Sequence, residues 1–279
     1  MDVMKKSTYG KPSLAISLAV VFCLAFSALS CGGKDVSRKE VEEIDAAFRA
    51  GASNLVETTA FIVALEEFDF ENAGFLDNAL NALDTSRDAA RELIVSTENL
   101  LALSYTGGLA QLGEYIREYC DATIEAVGEL EAVYESLESI LKAIEPVLLE
   151  EAVITQLEAP QSDAEWLERL ERLDTALQVS LGELEGVEVP PLLVEYKALY
   201  QDLLSTLYEL IGDLTATVLG QIANEDMEDN PDFLHMQGLI ESYLPLVESI
   251  YDGLKITTID PLVEKVELEI NNLYMGEGG

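Results

Sequence analysis

Apolar residues along this chain recur in steps of three and four. From Val127 they fall at Val127, Leu130, Tyr134, Leu137, Leu141, Ile144 and Leu148, with Val133, Ile140 and Val147 widening the stripe. That spacing stacks side chains on one face of an α-helix. Trp166, Leu170, Leu173, Leu177, Leu181 and Leu184 form a second stripe. Tyr196, Tyr200, Leu203, Leu207, Leu210, Leu214 and Val218 form a third. A fourth comprises Met236, Leu239, Ile240, Tyr243, Val247, Ile250 and Leu254. No stretch alternates with period two between hairpin turns, so strands are not expected.

Breakers cut these stripes into about seven helices, near 36–67, 74–104, 109–157, 162–185, 191–224, 232–254 and 259–274. Pro160 followed by Gln161-Ser162-Asp163 reads as a stop and a fresh N-cap, and Pro190-Pro191 ends one helix and begins another. Asn230-Pro231-Asp232 and Ile259-Asp260-Pro261 do the same, with Asp232 the expected N-cap of the sixth helix. Pro146 is expected to kink or split the third helix, because it removes a backbone donor. The fold class is therefore all-α, an antiparallel helical bundle over 36–275, with 276–279 a disordered tail. One contiguous bundle is preferred to two divided near 159–160.

Charge narrows the function. The full chain carries 16 basic and 53 acidic residues; the first thirty hold three of those lysines and one of those acids, so the body without them has a net charge of −39. Phosphate neutralisation needs clustered Lys and Arg, so nucleic acid is not an expected partner. Anionic headgroups are disfavoured for the same reason. The acidity reads as a solubility feature or an adaptation to salt, with a cationic partner as the alternative. A 49% hydrophobic content supplies enough apolar surface for a core despite the charge.

The first thirty residues differ from the rest. Lys5, Lys6 and Lys11 precede an apolar run, Ser13 to Phe26, and then the small or apolar residues Ser27, Ala28, Leu29 and Ser30 lead to Cys31. A basic start, a short apolar core and a small-residue cleavage site make a secretory signal. Ala28-Leu29-Ser30-Cys31 resembles the lipobox of bacterial lipoproteins, with Ala28 where that box prefers Leu. The resemblance covers residues 1–31 only. It implies that 1–30 are removed, that Cys31 is diacylated, and that 31–35 form a tether to the membrane. Two acyl chains hold a protein stably where one does not. An uncleaved anchor over Pro12–Leu29, about the minimum spanning length, is the competing reading. Gly32, rather than aspartate, after the cysteine favours the outer membrane. The segment from Val187, VEVPPLLVEYKALYQDLLSTLYELIGDL, is similar to a pattern in uncharacterised bacterial secreted and lipoprotein sequences. That likeness implies an extracytoplasmic helical domain and no activity.

Little chemistry is visible in the body. Asp226, Glu228, Asn230 and Asp232 alternate as calcium-loop ligands do, but Pro231 and Gln237 occupy the places where an EF-hand needs Gly and Glu. His235 is the one histidine, and Asp232 stands where a di-iron bundle would have glutamate. Asp226, Glu228, Asp232 and His235 are thus weak metal candidates. Cys120 is expected to be a small buried residue rather than a nucleophile. No nucleophile elbow or phosphate loop occurs, so neither cofactor nor catalytic residue is expected. Tyr115, Tyr119, Tyr134, Tyr196, Tyr200, Tyr208, Tyr243 and Tyr251 fall on core-facing positions. The preferred reading puts them at the core rim with hydroxyls in water; the other has them line a cavity. The expected function is a lipid-tethered, non-enzymatic lipoprotein that binds or scaffolds another envelope protein. A small-ligand or cation-binding lipoprotein with a site between helices is the alternative.

Overall fold

The computed structural model describes residues 36–67, 74–156, 160–220 and 230–276, with backbone only at 152–156. Among them every regular element is helical: α1 (Arg38–Leu55), α2 (Ala60–Glu66), α3 (Phe75–Leu101), α4 (Ala110–Gln156), α5 (Asp163–Gly186), α6 (Val194–Val218), α7 (Pro231–Gly253) and α8 (Asp260–Met275). The signal segment, the tether and Cys31 lie outside the described residues.

Local chemistry sets several of these ends. The Ser37 N–H donates to the Glu40 carboxylate at the start of α1. At α5 the Ser162 hydroxyl accepts from the Glu165 N–H at 3.3 Å, the fresh cap expected after Pro160. At α7 the cap is Asn230, not Asp232. The Asn230 Oδ1 accepts from the N–H groups of Asp232 and Phe233 at 2.8 and 3.3 Å. Pro231 occupies the first turn, where its missing N–H costs nothing, so capping passes to the residue before it. Gly276, expected in the tail, instead closes α8 with a left-handed backbone (φ 75°), so the helix holds through Met275.

Two helices differ from the sequence expectation. The stretch 36–67 breaks at a 3-10 turn over Glu57–Thr59. Thr58 and Thr59 each donate their hydroxyl to a carbonyl three residues back, Leu55 and Val56, competing with helix continuation. Tyr134 of α4 donates to the Thr58 carbonyl and fixes this corner. Pro146, by contrast, does not split α4, which runs unbroken from Ala110 to Gln156. Ile144 and Val147 are buried on either side of it, and that packing offsets one lost hydrogen bond.

Neighbouring helices pack mainly antiparallel, while α2 continues along α3 in the same sense as α1 and α8 continues along α4 in the same sense as α7. Arg87 of α3 meets Glu138 of α4 while Thr97 meets Cys120, so the two run in opposite senses. Arg172 of α5 meets Glu150, and the Glu188 carbonyl beyond α5 meets Ser136. α6 packs on α5 and α7 on α6; α8 then returns to α4 and α1. Lys255 and Lys265 reach Glu125 and Glu118 there, and the Lys265 ammonium lies 4.1 Å above the Tyr115 ring. One core cluster runs through all of these, with Leu112, Ile116, Val127, Leu130, Leu137, Ile140 and Leu141 of α4 at its centre. Truncating such a residue, as in Leu137→Ala, costs about 2–5 kcal/mol. The helices on either side of 157–159 share this core.

Three residues assigned to core stripes are at the surface: Trp166 and Ile240 are each 43% exposed and Tyr208 38%. The first buried residue of α5 is Leu170 and that of α7 is Tyr243, so the opening turns of both helices are only partly covered among the described residues, with Met236 and Leu239 of α7 resting against the core.

Candidate functional site

The tyrosines are the residues most changed by folding. Tyr119, Tyr134, Tyr196, Tyr200 and Tyr243 are buried outright rather than sitting at a wet rim. Antiparallel packing of α6 on α7 brings two apolar stripes together and lets hydroxyls take the place of water. The Tyr196 hydroxyl lies 3.1 Å from that of Tyr243 and 3.4 Å from that of Tyr200. The Tyr196 and Tyr200 rings meet edge to face at 5.1 Å. Burial pushes all three hydroxyls well above the usual tyrosine value, so they stay protonated and serve as neutral donors and acceptors. None of the three lines either of the surface grooves described below.

Cys120 is buried as expected, and loss of solvent followed by the nearby Asp121 charge pushes its thiol up to about 12. A thiol held protonated in this way is not a nucleophile. Asp232 and His235 sit on the first turn of α7, with His235 exposed. Asp226 and Glu228 lie outside the described residues. Among the described residues no three His, Cys, Asp or Glu side chains converge to hold a metal ion.

Two open grooves occur among the described residues. The one between α3 and α4, about 370 Å³, is walled by Arg87, Arg91, Glu131, Glu135 and Glu138. Its charges answer one another. Arg87 bonds Asp84 and Glu138, Lys142 bonds Glu138 from one turn away, and Arg91 bonds Asp88. Hydrogen bonds from Lys142 and then Arg87 hold the Glu138 carboxyl below its usual range. Arg87, Arg91 and Glu138 are thus committed to ion pairs, while Glu131 and Glu135 on the same wall have none among the described residues.

No family model matches this chain, and no curated protein or solved structure matches it.

The second groove, about 440 Å³, runs between α6 and α7. Leu199, Leu239 and Leu246 form its floor and Glu195 and Asp202 its α6 rim. Its α7 wall consists of Ser242, Pro245 and Ser249, all exposed and none charged. Leu199 is buried and Leu239 and Leu246 are half-buried, so the groove is a shallow apolar strip beside the acidic edge of α6. The stripe analysis missed it. The readable signal was the seven-residue spacing of Glu195, Asp202 and Glu209 opposite a helix face of small neutral residues.

Proposed function

We propose that this chain is a lipid-anchored, extracytoplasmic helical scaffold that binds another protein of the cell envelope and catalyses no reaction. The α6–α7 groove carries this reading. It offers a fixed apolar surface on a rigid two-helix support, the form in which helical proteins receive a partner segment. Other features agree with it. The hydroxyls of Tyr134, Tyr196, Tyr200 and Tyr243, which would have lined a ligand cavity, are spent on one another and on the backbone. No described helix is long and apolar enough to cross a membrane, so in this proposal the lipid on Cys31 supplies the attachment. The −39 charge of the body keeps it off anionic lipid and nucleic acid.

Mass spectrometry of the mature N-terminus tests the anchor. The expected product begins at Cys31 with a diacylglyceryl thioether, and Cys31→Ser moves the protein from the membrane fraction or leaves it unprocessed. Recovery of an intact Met1 refutes the anchor. A thermal-shift panel of metabolites and divalent ions tests the binding class, since a ligand specific for the folded state raises the melting temperature. No shift is expected; a saturable one refutes a purely protein-binding role.

A further inference from the structure

The charges around the α6–α7 groove specify what it can receive. From Val194 to Gly253 the chain has a single Lys or Arg, Lys197. Its ammonium is already committed, donating to the Glu185 and Val187 carbonyls at the end of α5 at 3.1 and 2.7 Å. On α6, Glu195 and Asp202 line the groove, and Glu209 and Asp213 follow beyond it at steps of seven and four that keep the four on one face, all exposed. On α7, Glu241, Glu248 and Asp252 are exposed as well. None of these seven carboxylates has a basic partner among the described ion pairs. Beneath them lies the leucine floor, along which Ala198, Ser242 and Ser249 leave room for side chains from above.

This combination discriminates among occupants. A second copy of this chain would bring a body of the same net charge of −39 against the acidic rim, and like charges placed together cost several kcal/mol. An anionic membrane surface fails for the same reason. A purely apolar segment would cover the floor and leave the rim carboxylates without partners. A helix with apolar residues on one face and cations on its flank meets both surfaces. From Leu239 to Ser249 the groove is about 15 Å long at 1.5 Å per residue, which accommodates about three turns.

We infer that the groove between α6 and α7 receives an amphipathic helix of a partner protein, with apolar side chains on the leucine floor and lysine or arginine along the flank facing Glu195 and Asp202. The inference rests on the scaffold reading above and adds the site and the partner chemistry. Docking is helix-in-groove, read as apolar anchors at i, i+3 or i+4, and i+7. The cationic flank speeds encounter and selects orientation.

The test uses the mature full-length body and a fluorescent 18-residue leucine/lysine amphipathic peptide, read by fluorescence anisotropy. Comparison probes are a scrambled isomer of equal charge and a leucine/glutamate counterpart. The amphipathic basic peptide is expected to bind at least tenfold more tightly than either. Its affinity should fall at least tenfold with Ser242→Trp, which fills the groove, and with the Glu195→Lys/Asp202→Lys pair. Ser139→Trp, on an exposed position of α4, should leave it unchanged. Circular dichroism melts show that each variant is folded. Equal binding of the scrambled isomer, or unchanged affinity in Ser242→Trp, overturns the inference.

A second arm separates this site from the scaffold reading. A photo-crosslinking residue is placed at Ser249, or at the exposed positions Asp77, Ser139 and Glu183, in the envelope of the producing cell. A Ser249 adduct whose cross-linked peptide is a basic amphipathic segment supports the inference, and an acidic or neutral peptide overturns it. Adducts confined to the other positions overturn the groove and leave the scaffold reading standing. Adducts at none of the four overturn both.

Discussion

Two tyrosines of α4 form a matched pair that isolates the contribution of a single hydroxyl. Tyr119 and Tyr134 are both fully buried. Each meets a phenylalanine edge to face, Phe48 at 5.2 Å and Phe61 at 5.4 Å. They differ in what the hydroxyl meets. Tyr134 donates to the buried Thr58 carbonyl at the α1–α2 corner, whereas the Tyr119 hydroxyl faces the Thr123 hydroxyl one turn on without a hydrogen bond of good geometry. Tyr134→Phe therefore leaves a buried acceptor short of a donor, a loss of about 1–2 kcal/mol. Tyr119→Phe removes a buried polar atom whose one polar neighbour, the Thr123 hydroxyl, compensates it poorly, so it should be neutral or stabilise by up to about 1 kcal/mol. For a body of this size each kcal/mol moves the melting temperature by roughly 2–4 °C. Tyr134→Phe should thus melt about 2–8 °C below the parent, and Tyr119→Phe at or slightly above it. Calorimetry measures the shifts, and urea titration at constant m-value checks that the unfolded states are comparable. A loss in Tyr119→Phe as large as that in Tyr134→Phe would refute the hydroxyl accounting, leaving the rings alone to explain both positions.

Other expectations follow from the packing and charge. Gly113→Ala gains helix propensity by roughly 1 kcal/mol, yet its new methyl would stand 2.4 Å from the Tyr105 Cβ, which is held by its own chain. The net effect on thermal unfolding should be destabilising, and a stabilised variant would contradict the contact. The buried tyrosines have raised pKa values in the folded state, so their contribution is intact below the ordinary value of 10.0 and declines as pH rises above it, where only the unfolded chain ionises freely. Absorbance at 295 nm should accordingly show the buried tyrosines ionising only together with the loss of helical circular dichroism; their ionisation with the helix intact contradicts it. With 53 acidic against 16 basic residues, self-repulsion outweighs the surface ion pairs. Raising NaCl from about 0.05 to 1 M, which shortens the screening length to about 3 Å, should raise the melting temperature. A fall would mean that the ion pairs dominate.

The stripe spacing made the helices legible because an apolar face is a local property. Val127 through Ile144 reads as one buried seam and is one. Whether a neighbour covers a given turn is not local. Trp166 and Ile240 continue their stripes perfectly well and remain exposed, since the described neighbours cover the opening turns of α5 and α7 only in part. Capping was legible at Ser162, where a single side chain decides it. At Asn230 two acceptors compete, and the choice depends on where Pro231 fits in the turn. The break at Thr58 was hidden because two threonine hydroxyls and a tyrosine 76 residues away act together. The tyrosine cluster of α6 and α7 needed the pairing of two helices, and so did the groove. Sequence shows each wall separately, and only their apposition makes a floor.

The long α4 also sets a distance. Phe48 of α1 lies against Tyr119 and Thr58 against Tyr134, so α1 runs alongside α4 in the same sense and Ser37 stands level with the beginning of α4. The groove starts just past Glu188, whose carbonyl meets Ser136. Between Ala110 and Ser136, α4 rises about 40 Å at 1.5 Å per residue, and Pro146 lies beyond that stretch. For a chain held by lipid at Cys31, as we propose, this segment is a strut. It keeps the binding face about 40 Å from the end where the tether enters, whatever the tether itself does. On that proposal the length of α4, and not the groove itself, sets how far along the bundle from Ser37 a partner helix would be met, and two turns of α4 correspond to about 11 Å of that separation.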